Sequence, residues 1–269
     1  FYNENKKLFL LFLYEENGKL SESFYDLHMS EMRATAYLAV ARRIVPKQHW
    51  SAPSRTVIRS GRFFGLASWT GTMFEYFMPN IFLPSKRGCL DREALNFCLY
   101  NQMKRAGSRP FGVSESGFYD FDSELNYQYK AHGIQKLGLK RGLDKEYVVS
   151  PYSSFLTLGF APKASVKNLK RLEKMGMCGK YGFFEAADFS PERCSGEKYR
   201  IVSSYMSHHI GMSLLSAVNF LKDNCMQQRF MRDASMCGAE SLMNERIPLG
   251  APVFKAAYGK NIPALRERT

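Results

Sequence analysis

Ile201-Val-Ser-Ser-Tyr-Met-Ser-His-His-Ile210-Gly-Met-Ser-Leu-Leu-Ser-Ala-Val-Asn-Phe-Leu221 is the longest helical pattern in the chain. Ile201, Tyr205, His208, Met212 and Leu215 share one stripe, and further apolar residues fall on other faces, as in a helix enclosed by neighbours. Ser23 to Val45 reads the same way, up to the stop at Pro46. Its stripe is Phe24, Leu27, Glu31, Ala34, Leu38, Ala41 and Val45, so one acid interrupts an apolar face. Outward from these two, Asp91–Ala106 is amphipathic and stops at Gly107. Pro151 opens a helix capped by Ser150, another follows Pro162 to about Met175, and shorter ones fill 226–246. Seven or eight helices with almost no strand signal predict a mainly α chain, at least half helical. Inner helices of this kind favour a toroid of paired helices with a site at one mouth.

Residues 1–20 alternate weakly and turn at Asn17-Gly18, which predicts a short strand or hairpin segment ahead of a single domain over 21–247. A Pro/Gly-punctuated polar tail, 248–269, follows. At 269 residues the chain can bury a substantial core. Its six cysteines include no C-x-x-C pair and read as reduced thiols of a cytoplasmic protein. No apolar run is long enough to span a bilayer. Phe1 is not an initiator Met, so the chain reads as a piece of something longer. The net charge of +13 would suit nucleic acid or an anionic membrane, but the basic residues are dispersed and no nucleic-acid motif is present. A solvated basic surface fits better.

The acids sit among aromatics. Phe111–Lys130 carries Glu115, Asp120, Asp122 and Glu124 beside six aromatic residues, and Tyr181-Gly-Phe-Phe-Glu185 repeats the theme. Carboxylates and amides bind sugar hydroxyls while rings cover the C–H faces of pyranoses, so the composition points to a carbohydrate site. Glycosyl transfer needs two carboxyl groups about one bond. Glu31, Glu75, Glu115, Asp122 and Glu185 can supply the pair, although helix caps and partners of Lys140 or Arg141 look similar in sequence. Glu31 is either paired with a cation or catalytic. Trp69 is a candidate platform, a position where a large aromatic serves more often as core. Gly112-Val-Ser-Glu-Ser-Gly117 misses the nucleophile-elbow pattern, because Ser116 stands where a glycine belongs. His208 and His209 diverge by about 100° on a helix, which suits one substrate contact better than a shared metal. Neither a metal nor another cofactor is expected.

Laid out together, these residues resemble the glycoamylase-like domain of cyclic β-1,2-glucan synthases. The matching runs begin with Tyr25-Asp-Leu, Ser30-Glu-Met-Arg33 and Ser68-Trp-Thr-Gly-Thr-Met-Phe-Glu-Tyr-Phe-Met-Pro79, followed by Gly112-Val-Ser-Glu-Ser116. Asn126-Tyr-Gln-Tyr-Lys-Ala131, Leu137–Leu143, Ser150-Pro-Tyr152, Tyr181–Ala186 and Ser207-His-His-Ile-Gly-Met212 complete them, in the family's order over about 20–247. The chain departs at Phe111, where a Trp is common, and at His132, where Phe is usual. The resemblance implies an (α/α) barrel, for which 269 residues are few, and action on linear β-1,2-glucan: internal cleavage, then transfer to the chain's own end. An endo-β-1,2-glucan hydrolase, or a non-catalytic glucan-binding module, stays open beside it. It further implies Glu115 as general acid and Glu31 as opposing carboxylate, with Glu185 as rival. Trp69, Glu75, Asp122, Tyr127, Gln128, Arg141, Tyr152 and His208 would line sugar subsites. The expected setting is the cytoplasmic face of an inner membrane, among the other domains of a larger synthase. Glu31, Glu115 and Glu185 are expected to open onto one cavity.

Overall fold

The computed structural model describes residues 1–247 and 253–255 and mixes helices with short strands. Helix accounts for 39% and strand for 18%, short of the helical half that the sequence predicts. The strands run from two to six residues, as in Tyr2–Asn3 and Ser116–Phe121. Alternation over so few positions is hard to see in sequence, yet it suffices to pair two backbones.

The Leu90–Ala106 helix, as expected from its pattern, lies on the hairpin of Val57–Ser60 and Phe63–Leu66. Gly65 makes this contact possible: a Cβ there would stand 2.6 Å from that of Phe97. Phe97 is fully buried in a core shared with Met29, Leu66, Met73, Tyr76 and Phe77, and truncating such a ring typically costs about 3–5 kcal/mol. Phe254–Lys255 pairs in parallel with Val57–Ser60. The rest of the predicted tail lies outside the described residues. At the other end, 1–20 forms two hairpins, Tyr2–Asn3 with Leu8–Phe9 and Leu13–Tyr14 with Lys19–Leu20, the second turning at Asn17-Gly18.

Two predicted helices are shorter than their patterns. The first runs only over Arg33–Ala41. Ahead of it, Leu27 bridges Ser54 and Asp26 reaches the Trp69 indole, while the Ser30 hydroxyl accepts the Met32 N–H and so competes with helical pairing. Buried Arg33, Ala36, Tyr37 and Val40 form the inward face, leaving Leu38 of the predicted stripe 39% exposed. The second helix starts at Ser207, because Arg200–Val202 is a strand paired with Ala186–Asp188, which also pairs with Val148–Val149. Its inward residues are His209, Met212, Ser216 and Asn219, while Ile210, Leu214 and Leu221 face outward and exposed.

The helices at Pro151–Leu156 and Pro162–Lys174 stand where proline and glycine signals place them. Pro151–Leu156 packs on Ser207–Leu221. Among the described residues no helix is long and apolar enough to cross a membrane. All six cysteines are free thiols.

Candidate active site

Four elements converge on the acid-rich stretch, which is itself a hairpin of Ser116–Phe121 with Tyr127–Lys130. Glu115 stands at its entrance. Glu185 stands at the head of Ala186–Asp188, Tyr152 on the first turn of Pro151–Leu156, and His208 and His209 on the first turn of Ser207–Leu221. The Tyr25–Glu31 segment approaches Glu115 closely enough for the two acids to feel each other's charge.

Glu115 and Glu31 are both half-buried, and burial is the main force holding their protons on. For Glu115 the Tyr129 hydroxyl and His209 oppose that rise, and Glu75 adds to it. For Glu31 its own backbone N–H and the Ser30 hydroxyl, 3.1 Å away, oppose it, while Glu75 and Glu115 add to it. A raised pKa suits a general acid, whereas a nucleophile must first be ionised.

Glu185 is different: both its oxygens are already engaged. Oε1 accepts the Gly117 N–H at 3.0 Å and Oε2 meets His209 Nδ1 at 2.9 Å, with both side chains buried. The His209 ring stacks on Tyr152 at 3.8 Å, and its Nε2 lies 3.3 Å from the Tyr129 hydroxyl. Tyr152 in turn bonds the Ser114 hydroxyl at 2.7 Å and donates to the Glu115 carbonyl at 3.0 Å, fixing the backbone that carries the acid. Gly117 is required here because a Cβ would overlap the Tyr127 hydroxyl.

Glu75 is likewise committed. Its two oxygens accept six hydrogen bonds, from Ser68, Trp69, Thr70 and Thr72, and close a capping box on the Met73–Phe77 helix. It ties down the loop that presents Trp69, whose 45% exposed indole donates to Asp26 at 2.7 Å. In Glu75→Gln one oxygen becomes an amide donor, so at least one buried donor loses its acceptor, at about 1–3 kcal/mol each. Thermal melts should show a Tm lowered by about 2–12 °C; an unchanged Tm would mean that these bonds do not hold the loop.

The remaining expected sugar contacts are scattered. Asp122 is fully exposed at the hairpin tip, where its oxygens accept from the Glu124 and Asn126 N–H groups, the latter bond chiefly lowering its pKa. Gln128 donates to the Asn126 carbonyl, and Arg141 is exposed beyond Lys140, which is tied to the Trp69 carbonyl. Tyr127 lies over Gly117 beside Glu185. His208 is exposed, 3.3 Å from the Tyr129 hydroxyl, with its pKa lowered by burial and then by His209. Glu185, Tyr152 and His209 line a cavity of about 260 Å³.

Tyr129 and His209 escaped the sequence reading. Alternation in Asn126-Tyr-Gln-Tyr-Lys130 puts Tyr127 and Tyr129 on one face of a strand, and a helix begun at Ser207 turns His209 inward with Met212 and Ser216. Among the described residues no cluster of His, Cys, Asp or Glu could hold a metal.

Residues 23–234 match the model of the Glycoamylase family, described as "Putative glucoamylase". The chain belongs to this family. Its homologues are glycoside hydrolase-like, carbohydrate-active enzymes. The cyclic beta-(1,2)-glucan synthase NdvB of Rhizobium meliloti (strain 1021) is 37% identical over 243 residues, which cover 89% of this chain and 8% of that protein. The glycoamylase fold shows in solved structures too. A "putative glucoamylase" from Bacteroides caccae superposes with a TM-score of 0.64 at 13% identity, over 90% of this chain and 61% of that one. An endo-beta-1,2-glucanase from Chitinophaga pinensis, in complex with sophorotriose and glucose, gives 0.59 at 15% identity, over 80% and 54%. These likenesses fit a helical toroid.

Proposed function

We propose that this chain cleaves an internal link of linear β-1,2-glucan and rejoins the freed end to the same molecule, closing a ring. The observation that carries the reading is the pair Glu31 and Glu115. They are half-buried and within reach of each other's charge, whereas Glu75 and Glu185 have their oxygens engaged by the protein. Glu115 protonates the leaving glycosidic oxygen while Glu31, in its ionised form, attacks the anomeric carbon to form a glycosyl ester. A hydroxyl at the other end of the bound glucan then attacks that carbon, gives its proton to Glu115 and releases Glu31. Two inversions return a β link. The exposed Trp69 ring, Tyr127, Gln128, Arg141 and His208 serve as sugar contacts, and residues 21–247, folded as an (α/α) barrel, form the catalytic unit.

The similarity to NdvB, of which this chain spans 8%, supports β-1,2-glucan as the substrate and a larger membrane-bound synthase, at the cytoplasmic face of an inner membrane, as the setting. The likeness to an endo-beta-1,2-glucanase favours a second reading, in which water takes the place of the attacking sugar hydroxyl. Mass spectrometry of the products from linear β-1,2-glucan separates the two. Ring closure gives species lighter by one water than the linear chains of equal length. Shorter linear chains alone would make the chain a hydrolase, and binding without turnover would make it a glucan-holding module.

A further inference from the structure

We propose that Tyr129 is a positioning residue serving both protonation states of Glu115, its hydroxyl turning between His209 Nε2 and the Glu115 carboxylate under a His209 tautomer that Glu185 sets. The inference rests on the reading of Glu115 as the acid and base of glycosyl transfer. Such a residue must be comfortable first as a carboxylic acid and then as a carboxylate.

A backbone N–H can only donate, so the Gly117 N–H fixes Glu185 Oε1 as an acceptor. Oε2 of the same carboxylate also only accepts, and His209 Nδ1 lies 2.9 Å from it, so Nδ1 carries the ring hydrogen. In the neutral ring Nε2 is then bare and accepts. The Tyr129 hydroxyl, 3.3 Å from Nε2, has one hydrogen to give and also faces the Glu115 carboxyl. When Glu115 is protonated, it donates to the Tyr129 oxygen and Tyr129 donates to Nε2. Once Glu115 has lost its proton, the Tyr129 hydrogen turns to the carboxylate. No proton crosses the chain of groups; one hydroxyl rotates. His208 Nε2, also 3.3 Å from that hydroxyl, is exposed and competes with water for it. The other titratable groups about the pair are Tyr25, Glu31, Glu75, Tyr127 and Tyr152.

Glu185→Gln tests this without substrate. Glutamine offers one oxygen, and the Gly117 N–H cannot invert, so that oxygen stays on Gly117 and the amide NH₂ turns to His209 Nδ1. The imidazole must then move its hydrogen to Nε2, which pins the Tyr129 hydrogen on Glu115 and favours the carboxylate. ¹⁵N NMR of the histidine-labelled full chain should show Nδ1–H at His209 in the native protein and Nε2–H in E185Q. The ¹³C titration midpoint of the Glu115 carboxyl should fall in E185Q and rise in Tyr129→Phe, each by about half a pH unit or more. Tyr129 is only partly buried, so the phenylalanine variant keeps the test alive should E185Q fail to fold. An unchanged tautomer in E185Q, or a midpoint that does not rise in Tyr129→Phe, overturns the proposal. Neither readout needs turnover, so an absence of glucan chemistry in the native chain would sink the proposed function separately.

Discussion

Glu115→Gln should lower turnover of linear β-1,2-glucan by about 10²–10⁴-fold and leave glucan binding nearly intact. The glutamine keeps the shape of the side chain and its contact with Tyr129 but has no proton to give to the leaving oxygen. An aryl β-glycoside of the same sugars, whose leaving group departs without protonation, should be cleaved in its first step almost as well as by the native protein. A loss of equal size on both substrates would mean that Glu115 is not the acid. The same variant should be more stable than the native chain at pH 7. Burial raises the pKa of Glu115 in the folded state, so between the unfolded carboxyl value of about 4.3 and that raised value the folded protein holds a proton the unfolded chain has released. Stability therefore falls as pH rises through that window. Glutamine removes the effect, and its advantage in Tm should fade as the pH drops below about 4.

Glu31→Ala should be the more damaging change, by roughly 10⁴–10⁶-fold, the range expected when a covalent nucleophile is lost. Here the aryl glycoside offers no escape, because the first bond to the anomeric carbon can no longer form. Azide, small enough for the space left by the carboxyl group, should restore cleavage and deliver a glycosyl azide of α configuration, inverted relative to the substrate. Failure of azide, together with an unharmed rate on the activated glycoside, would move the nucleophile's role elsewhere. Glu31→Gln, which keeps the shape, should stabilise the fold for the same reason as Glu115→Gln, since burial also raises the pKa of Glu31. Glu75→Gln runs the opposite way, so melting temperature sets Glu75 apart from the two acids that it resembles in sequence.

Sequence revealed the scaffold best where short-range chemistry decides it. Leu90–Ala106 is amphipathic and ends at a glycine, and Pro151 and Pro162 open helices whose first turns need no N–H from them. It failed where long-range contacts override the local pattern. The Phe24 to Glu31 spacing mimics a helix, yet Leu27 and Asp26 are drawn to Ser54 and Trp69, residues remote in the chain. The Ser116–Lys130 hairpin was hidden because its tip is exposed, so its aromatics do not alternate between core and water. The site was half legible. Acids among aromatics marked the right stretches, but which acids are engaged by backbone N–H groups depends on pairs such as Gly117 with Glu185, which only the folded chain brings together. Likewise the choice of His208 over His209 came from extending the helix back through Arg200–Val202, a strand, and so rotating its inward face by one residue.

The most direct test of the account is the anomeric configuration of the first products. Linear β-1,2-glucan supplied to the full chain, followed by NMR from the earliest time points, should give new links and new reducing ends that are β, with cyclic or lengthened glucans among them, because Glu31 and Glu115 act through two successive inversions. Reducing ends that appear first as α, before mutarotation, would show a single displacement by water and contradict the roles assigned to the pair.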